Sequence, residues 1–426
     1  MNVLIIGNGG REHALAWKVA QSSRVTHVYV APGNAGTALE SKVSNVDINP
    51  DQIDALIKFA TDNHIELTIV GPEAPLVAGI TDTFSDAGLR CFGPSRLAAR
   101  LEGSKAFTKD FLKRHGIPTA AYNTFTSTTL DEKWIRAQRA PLVVKADGLA
   151  AGKGVIICDT QQESIDTIKD MFSGKFGAAG NTVVVEEFLQ GEEASFIVMV
   201  DGQHILPFAT SQDHKRLLDS DVGPNTGGMG AYSPAPVVTQ QVHERIMREV
   251  IEPTVRGLIE DGTPYVGFLY AGLMIDASGA PKVIEFNCRF GDPEAQPVMT
   301  RLNSDLTVLC DAALDGNLDK VTAEWISHAA IGVVLAAENY PETPRKGDVI
   351  TGLDNAAKLP GKVFHAGTTL TGTNVITNGG RVLCAVGTGH TVKLAQQQAY
   401  ALADVIKWQG VQYRRDIGYR AIAREG

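Results

Sequence analysis

The sequence predicts a multidomain α/β and α+β protein, and three observations support this fold class. At 426 residues the chain is too long for one hydrophobic core, and its 44% apolar content is enough to bury roughly three. The first hundred residues alternate strand and helix patterns, which is typical of a doubly wound parallel sheet. Beyond them, β-branched strands are joined by glycine-rich turns, which indicates α+β domains.

The N-terminal hundred residues supply the parallel sheet. Strand patterns at NVLIIG, VTHVYVAP, LTIVGPE and LRCFGPS alternate with helix patterns at REHALAWKVA and DQIDALIKFATDNH. Open parallel sheets bind ligands at the carboxyl ends of their strands, so the loops there are candidate substrate contacts. Plain turn chemistry explains the same loops equally well. The candidates in these loops are Gly9, Gly10, Arg11, Asn34, Pro72 and Glu73.

The first turn, GNGGRE at 7–12, bears on whether the sheet binds a dinucleotide. Two of its glycines have dinucleotide spacing, but Glu12 stands where the third glycine should be, and no acidic residue ends the second strand. A nicotinamide site is therefore disfavoured. The N–H groups and dipole of the following helix still favour an anion, so a phosphate can rest there with help from Arg11.

A helix predicted over 95–115 carries Lys105 and leads to a possible phosphate cover. PLVVKADGLAAGKGVIICD predicts two strands joined by a flexible loop, with Lys145 at the end of the first. Flexibility alone does not explain why this segment carries two lysines. The two positive charges favour a loop that covers phosphates. It is not a Walker loop, because Gly154 follows Lys153 where that motif has Ser or Thr.

Two further segments add charged side chains. NTVVVEEFLQGEEASFIVMVDG predicts strand, turn and strand, a connection that can meet an adenine edge while a carboxylate holds the ribose hydroxyls. Glu186, Glu187 and Glu193 are the candidates, although a solvated turn would show the same carboxylates. SQDHKR then concentrates Asp213 and Lys215 beside a histidine. The long DVGPNTGGMGAYSPAP segment that follows predicts a functional loop.

The stretch VIEFNCRFGDPEAQ carries the candidate metal site. Alternation in VIEFN predicts a strand with Glu285 and Asn287 on one face, and we expect YVGFLYAGLMID to pair with it. A carboxylate and an amide oxygen suit Mg2+, which usually adds phosphate oxygens and water, so the pair implies a nucleotide. Because a two-residue spacing is easily matched by chance, Glu285 and Asn287 can equally belong to an ordinary strand end without a metal. The turn that follows brings Arg289, Asp292 and Glu294 next to this site.

Composition and charge restrict the partners and the compartment. A net charge of −9 argues against binding to nucleic acid. We find no export leader and no run of about 18 apolar residues, so membrane insertion is not expected. Five scattered cysteines without a CxxC pair fit a reducing cytoplasm. We expect a cytoplasmic monomer.

Together these motifs resemble the phosphoribosylamine-glycine ligase family of the ATP-grasp superfamily over nearly the whole chain. The resemblance depends on GNGGREHA, GPEAPL, KADGLAAGKGV, VEEFLQGEE, QDHKR, GPNTGGMGAYSP and above all RFGDPEAQ. It implies ATP, Mg2+ or Mn2+ at Glu285 and Asn287, and two subdomains that close on the nucleotide. The nucleotide contacts it implies are Lys105, Lys145, Gly148, Gly152, Lys153, Gly154, Glu186, Glu187, Phe188, Leu189 and Glu193. From charge and position we add Arg289, Asp213 and Lys215 as catalytic candidates and Asp292 as a substrate contact.

The activity implied by the resemblance is ligation of glycine to 5-phosphoribosylamine through glycyl phosphate, giving glycinamide ribonucleotide, ADP and phosphate in purine biosynthesis. Three alternatives remain open: another ATP-grasp ligase with a different acceptor, a nicotinamide-dependent dehydrogenase, and a nucleotide sensor without turnover. The expected domains are 1–103, 104–320 with a smaller lid at 120–187, and 321–426. The last of these shows no catalytic constellation of its own.

Overall fold

The computed structural model describes residues 1–149 and 154–425. Within these residues the strands form two five-stranded sheets, two four-stranded sheets and two two-stranded ribbons. The mixed multidomain fold class predicted from the sequence is confirmed. None of the helices in this part of the chain has both the length and the apolar character needed to cross a bilayer. All five cysteines are buried and free.

The N-terminal part is the predicted doubly wound sheet. Its strands are β1 Asn2–Gly7, β2 His27–Pro32, β3 Val43–Asn45, β4 Ile65–Val70 and β5 Cys91–Phe92. They are all parallel and lie in the order β3-β2-β1-β4-β5, so the loops after β1 and β4 are neighbours. The intervening helices are α1 Gly10–Ala20, α2 Ala35–Leu39, α3 Ile53–Asp62, α4 Glu73–Ala78 and α5 Ile80–Asp86. β3 was not predicted, because three residues are too few to show a period.

The prediction of one helix over 95–115 is wrong, because the segment contains a break. The two helices found there are α6 Arg100–Gly103 and α7 Lys105–Arg114. Ser104 between them is extended, and its hydroxyl accepts a hydrogen bond from the N–H of Phe107 at 3.1 Å. A serine in this position is a strong helix start, so Lys105 lies in the first turn of α7.

The middle of the chain forms two antiparallel sheets. The first has β6 Tyr122–Thr126, β7 Leu142–Ala146, β8 Val155–Cys158 and β9 Thr182–Glu187 in the order β6-β9-β7-β8, and α8 Glu132–Ala137 and α9 Gln161–Asp170 pack on it. The second has β10 Glu192–Asp201, β11 Ile205–Pro207, β16 Val266–Ile275 and β17 Pro281–Asn287 in the order β11-β10-β16-β17. The predicted strand–turn–strand segment therefore connects the two sheets.

A third antiparallel sheet contains strands from both sides of the domain boundary predicted at residue 320. Its strands are β12 Gln212–Asp213, β15 Gly230–Ser233, β18 Ala329–Ala336, β19 Lys362–His365 and β22 Arg381–Gly389, in the order β12-β15-β18-β22-β19. The two ribbons pair β13 Arg216–Leu218 with β14 Val222–Asn225 and β20 Thr368–Thr371 with β21 Asn374–Thr377. The segment predicted as one long loop over 221–236 thus contains two strands: β14 pairs with the nearby β13, and β15 pairs with β12 and with β18, about 100 residues further along the chain.

The remaining helices are α10 Gln240–Ile246, α11 Glu252–Glu260, α12 Ala295–Arg301, α13 Leu306–Leu314, α14 Leu353–Ala356, α15 Val392–Val405 and α16 Tyr419–Glu425. One apolar cluster joins the N-terminal sheet to the second antiparallel sheet. Within it Phe268 packs edge-to-face on Phe92 and on Phe290, with ring centroids 5.0 and 4.9 Å apart. This packing holds the end of β5 beside the turn that follows β17.

Candidate active site

The candidate site is one face of the second antiparallel sheet. Ser195 in β10 lies opposite Gly272 in β16, and Gly272 lies opposite Glu285 in β17. Tyr270 lies opposite Asn287, so these side chains share a face. The predicted common face of Glu285 and Asn287 is confirmed, while their role as metal ligands stays a prediction. A Cβ on Gly272 would lie 3.2 Å from Glu285 Cγ and 3.4 Å from Tyr270 Cε1, so the glycine makes room for these two side chains.

Three lysines influence the Glu285 carboxylate. Lys215 Nζ lies 4.0 Å from Glu285 Oε1 and 3.0 Å from Glu193 Oε2. Burial alone would raise the pKa of Glu285, but the charges of Lys215, Lys145 and Lys105 lower it below its usual value. Glu285 is therefore ionised at neutral pH, which is the state that a divalent cation requires.

The predicted phosphate lid over 148–154 is described only at its two ends. Lys105 Nζ donates to the carbonyl of Gly148 at 2.8 Å, and the N–H of Ala146 donates to the carbonyl of Gly154 at 2.8 Å. Gly148 has a φ of +92°, a conformation that favours glycine. The other two predicted contacts, Gly152 and Lys153, lie outside the described residues. Lys105 is thus bonded to the start of the lid.

A buried ionic group joins Glu186 to two lysines. Glu186 is 3% exposed, and its carboxylate lies 2.9 Å from both Lys109 Nζ and Lys145 Nζ. Lys145 also donates to the carbonyl of Ile284 at 3.2 Å, which links the first antiparallel sheet to β17. Since the carboxylate faces two lysines, the geometry does not favour the ribose contact predicted for Glu186.

Sequence reasoning missed Lys109. Burial lowers the pKa of its ammonium to about 8, although Glu186 opposes the shift. The lysine follows Lys105 by four residues, which places both on the same side of α7. That spacing was the available signal. Taken alone it is weak, because a helix with many lysines more often carries them on a solvated face.

The connection between β9 and β10 carries the other predicted adenosine contacts. Glu187 accepts hydrogen bonds from the N–H of Ala121 at 3.1 Å and from Lys282 Nζ at 3.0 Å. Phe188 is exposed and Leu189 is half-buried. Residues 188–191 belong to neither strand, so their backbone groups are available to an adenine edge. That contact stays a prediction.

Arg289 is held by two carboxylates. Its guanidinium donates to Glu73 Oε2 at 3.3 Å and to Glu102 Oε1 at 2.7 Å, and Glu102 also accepts from the N–H of Cys288 at 2.7 Å. Burial alone would lower the pKa of Arg289, but the two glutamates raise it. Sequence reasoning missed Glu102, which no local motif marks. The catalytic role of Arg289 and the substrate contact of Glu73 stay predictions.

Glu294 contacts two residues of the same face, Ser195 and Tyr270. It is 3% exposed, and its Oε1 accepts hydrogen bonds from the hydroxyls of Ser195 at 2.9 Å and Tyr270 at 3.0 Å. A Cβ on Gly291 would come within 2.4 Å of its Oε2. The glycine of RFGDPEAQ therefore makes room for this carboxylate.

Asp213 is brought to the same face by β12. Ser211 exchanges two backbone hydrogen bonds with Ser195, at 2.8 and 3.1 Å, and Asp213 is two residues further along. Burial raises the pKa of Asp213 to about 8; Glu294 and Glu193 contribute in the same direction, and Lys215 opposes them. The predicted pair Asp213 and Lys215 thus lies at the candidate site, and its catalytic role stays a prediction.

The turn after β1 is filled by the protein's own carboxylate. Glu12 is 2% exposed; its Oε2 accepts from the N–H of Gly9 at 2.6 Å, and its Oε1 accepts from Arg11 Nε at 2.5 Å. A Cβ on Gly71 would lie 2.0 Å from Glu12 Oε1, and one on Gly7 would lie 2.5 Å from its Cγ. These glycines accommodate Glu12, so the geometry does not favour the phosphate predicted at the start of α1.

Asp292 joins three parts of the chain. Its carboxylate accepts from the N–H of Arg11 at 3.4 Å and from Gln296 Nε2 at 2.9 Å, and a Cβ on Gly10 would lie 2.3 Å from that same nitrogen. Arg381 of β22 donates to the Asp292 carbonyl at 2.6 Å and lies 3.7 Å from Oδ2. Burial alone would raise the pKa of Asp292, but Arg381 and Arg11 lower it. Sequence reasoning missed Arg381, because no motif surrounds it.

Asn34 and Pro72 lie at helix starts. The Asn34 Oδ1 accepts from the N–H of Gly36 at 2.8 Å, and its Nδ2 donates to the carbonyls of Asn8 at 2.9 Å and His365 at 3.0 Å. Pro72 directly precedes α4 with an extended backbone. The buried amide of Asn34 is used by the protein itself, which does not favour the predicted substrate contact.

The chain is similar along its whole length to known ligases. Residues 1–102, 103–295 and 330–420 match the N domain, the ATP-grasp (A) domain and the C domain of phosphoribosylglycinamide synthetase. The chain is 67% identical over all 426 residues to the phosphoribosylamine-glycine ligase of Vibrio cholerae and 65% identical to that of Pseudomonas aeruginosa, covering 99% of each. The chain belongs to the phosphoribosylglycinamide synthetase family. The resemblance predicted from its motifs is confirmed.

Solved structures agree with membership of this family. The crystal structure of phosphoribosylamine-glycine ligase from Thermotoga maritima is 36% identical with a TM-score of 0.83, covering 98% of this chain and 100% of that one. A biotin carboxylase domain from Hydrogenobacter thermophilus is 15% identical with a TM-score of 0.73, covering 97% of this chain and 91% of that one, and shares the fold.

ATP-grasp ligases use ATP with a divalent metal, and Glu285 and Asn287 have the right donor types for one. Across residues 1–149 and 154–425 no three His, Cys, Asp or Glu side chains converge on a metal position. A metal at this pair would therefore complete its coordination with phosphate oxygens and water.

Proposed function

We propose that this protein uses ATP to ligate glycine to 5-phosphoribosylamine, forming glycinamide ribonucleotide, ADP and phosphate. The observation that carries the proposal is the shared face of Glu285 and Asn287, with Lys215 4.0 Å from Glu285 and Lys145 bonded to the adjoining Ile284 carbonyl. Such a face suits the terminal phosphates of a nucleotide. Family membership over the full chain supplies the two substrates.

The chemistry follows from the poor reactivity of a free carboxylate. An oxygen of glycine's carboxylate attacks the γ-phosphorus of ATP, the bond to ADP breaks, and glycyl phosphate forms. The nitrogen of 5-phosphoribosylamine then attacks the acyl carbon, the bond to phosphate breaks, and the nitrogen loses a proton as the amide forms. No protein nucleophile is required, so the enzyme supplies positioning and charge.

The charged residues of the site have separate tasks in this scheme. Mg2+ held by Glu285 and Asn287 would neutralise charge on the phosphates when bound. Lys105 and Lys145 would place fixed positive charge next to the phosphate oxygens, where negative charge develops during phosphoryl transfer. The Glu186 carboxylate keeps Lys145 in place through their 2.9 Å contact. The predicted domains at 1–103, 104–320 and 321–426, the monomer and the cytoplasmic location belong to the same proposal.

Glycine labelled with 18O in its carboxylate tests the mechanism. If glycyl phosphate forms, each turnover should transfer one labelled oxygen to inorganic phosphate, with unlabelled ADP and no AMP or pyrophosphate. An adenylating ligase would put the label into AMP. Unlabelled phosphate from a reaction that makes glycinamide ribonucleotide would refute the acyl phosphate. Product formed only with another amine would favour a different ligase, and nucleotide binding without turnover would favour a sensor.

A further inference from the structure

We propose that the C-terminal segment, residues 414–420, positions Lys215 at the candidate site by holding the ribbon of β13 and β14. Lys215 directly precedes β13, and its ammonium lies 3.0 Å from Glu193 Oε2 and 4.0 Å from Glu285 Oε1. This inference rests on the proposed function, in which Lys215 lies beside the phosphate-binding face. It gives the end of the chain a positioning role in the reaction.

Arg414 is at the centre of the contact between the C-terminal segment and the ribbon. Its side chain is completely buried, and it donates to Asp221 Oδ1 at 2.7 Å and to the carbonyl of Arg216 at 3.2 Å. Asp416 accepts two further bonds from the same guanidinium, at 2.8 and 2.9 Å. A buried guanidinium is costly unless its donors are paired, so these bonds fix β13 and the turn that follows it.

The turn between β13 and β14 is held by several groups of the C-terminal segment. Asp221 also accepts hydrogen bonds from the Tyr419 hydroxyl, at 2.8 Å, and from the Arg420 guanidinium. The N–H of Ser220 donates to Asp416 Oδ2 at 2.8 Å. Ser220 and Asp221 have φ values of +61° and +54°, a left-handed conformation that is unfavourable for residues other than glycine. The bonds to the C-terminal segment offset that cost.

His214 is a second link to the C-terminal segment, and it lies between Asp213 and Lys215. It is 2% exposed, and its Nε2 accepts a hydrogen bond from the N–H of Gly418 at 3.3 Å. Burial and the charge of Arg414 lower the pKa of His214 to about 4, so the ring is neutral at neutral pH and can accept this bond. Neighbouring side chains of an extended chain point in opposite directions. Fixing His214 therefore directs Asp213 and Lys215 to the other side.

The ribbon determines where the backbone of Lys215 lies. The carbonyl of Lys215 accepts from the N–H of Thr226 at 2.7 Å and from its hydroxyl at 2.9 Å. A two-stranded ribbon is only marginally stable by itself, and Leu218 and Val222 at its end are 50% and 53% exposed. The polar contacts with the C-terminal segment therefore restrain the ribbon. Their loss would let the Lys215 ammonium move away from Glu285.

Asp221→Asn and Arg414→Lys test the proposal in the full-length enzyme. Asparagine tolerates the left-handed backbone but cannot form the ion pair, and lysine keeps the charge of Arg414 without its planar fork. Each variant should lower kcat about 10- to 100-fold, because a displacement of about 1 Å at a reacting centre has an effect of that size. The affinity for ADP should stay within about twofold of the parent value, because both residues lie outside the predicted adenosine contacts.

Arg415→Gln is the matched control in the same segment. The Arg415 side chain is 57% exposed and pairs with Asp404 of α15 at 2.6 Å. Its substitution leaves the bonds of Arg414 in place, so kcat should stay within about twofold of the parent value. A loss of kcat in Arg415→Gln as large as in Asp221→Asn would overturn the proposal.

A Lys215→Met background separates positioning from general destabilisation. This substitution removes the ammonium that the ribbon positions, and it should itself lower kcat. Adding Asp221→Asn should then lower kcat by no more than about twofold, because two changes that act through one residue are not additive. The same factor in both backgrounds would refute a role through Lys215. So would Lys215→Met with the kcat of the parent.

Hydrogen exchange measured by mass spectrometry reports on the ribbon without any turnover. The amides of residues 216–225 should exchange at least about 10-fold faster in Asp221→Asn than in the parent, whereas Arg415→Gln should match the parent. Unchanged exchange, or faster exchange with the kcat of the parent, would overturn the inference alone. A parent enzyme that makes no glycinamide ribonucleotide would refute the proposed function and this role of Lys215 with it.

Discussion

Replacing Glu186 with glutamine should destabilise the protein by about 3–5 kcal/mol. The substitution preserves the size of the side chain but removes the carboxylate that lies 2.9 Å from both Lys109 Nζ and Lys145 Nζ. All three residues are at most 5% exposed, so water cannot replace the lost charge. Lys109→Met should reduce stability much less than Glu186→Gln does, because Glu186 and Lys145 remain as an ion pair with no net charge.

The destabilisation should also depend on pH in a defined direction. Burial lowers the pKa of Lys109 from 10.5 to about 8 in the folded protein. Between these values the unfolded chain binds more protons than the folded one, so this lysine makes stability rise with pH across that window. Glu186 raises the pKa of Lys109, so this pKa should be lower in the Glu186→Gln variant. The pH range over which the stability of the variant rises should therefore extend to lower pH.

Equilibrium urea unfolding at about pH 7 and about pH 9.5 measures both effects as changes in the free energy of unfolding. Glu187→Gln is the matched control, because its side chain is 44% exposed and its ion pair with Lys282 should contribute only about 0–1 kcal/mol. A Glu186→Gln cost equal to that of the control would refute the idea that buried charge holds these lysines. So would a cost that stays constant as the pH rises.

Three further substitutions test other parts of the site. Glu285→Gln should reduce turnover about 10²-fold at limiting Mg2+ with the melting temperature unchanged; near-normal turnover would exclude Glu285 as a metal ligand. Gly71→Ala should cost about 1–3 kcal/mol in thermal unfolding, because its Cβ would lie 2.0 Å from Glu12 Oε1; an unchanged curve would show that Glu12 moves without strain. Arg381→Ala should lower kcat/KM while MgADP binding by calorimetry stays unchanged, because Arg381 donates at 2.6 Å to the carbonyl of Asp292, the predicted substrate contact; a loss of MgADP binding as well would indicate general destabilisation.

Local patterns in the sequence were sufficient for the longer strands and helices and for the family. Alternation in VIEFN predicted the common face of Glu285 and Asn287, because side-chain direction along a strand depends only on position. The β-α alternation predicted the N-terminal parallel sheet in the same way. The prediction failed at Ser104, whose extended backbone interrupts an apparently continuous helical pattern and whose hydroxyl caps the start of α7.

The sequence by itself therefore determined the longer strands, the family and the candidate metal pair, whereas the tertiary structure decided which charged side chains meet. Glu186 pairs with Lys109, Glu102 with Arg289 and Asp292 with Arg381, across separations of 77, 187 and 89 residues. The order and register of the strands determine such contacts, and neither can be predicted from the hydrophobic pattern of a single segment. Burial then gives these pairs their strength, because a charge removed from water depends on whichever partner the fold brings to it.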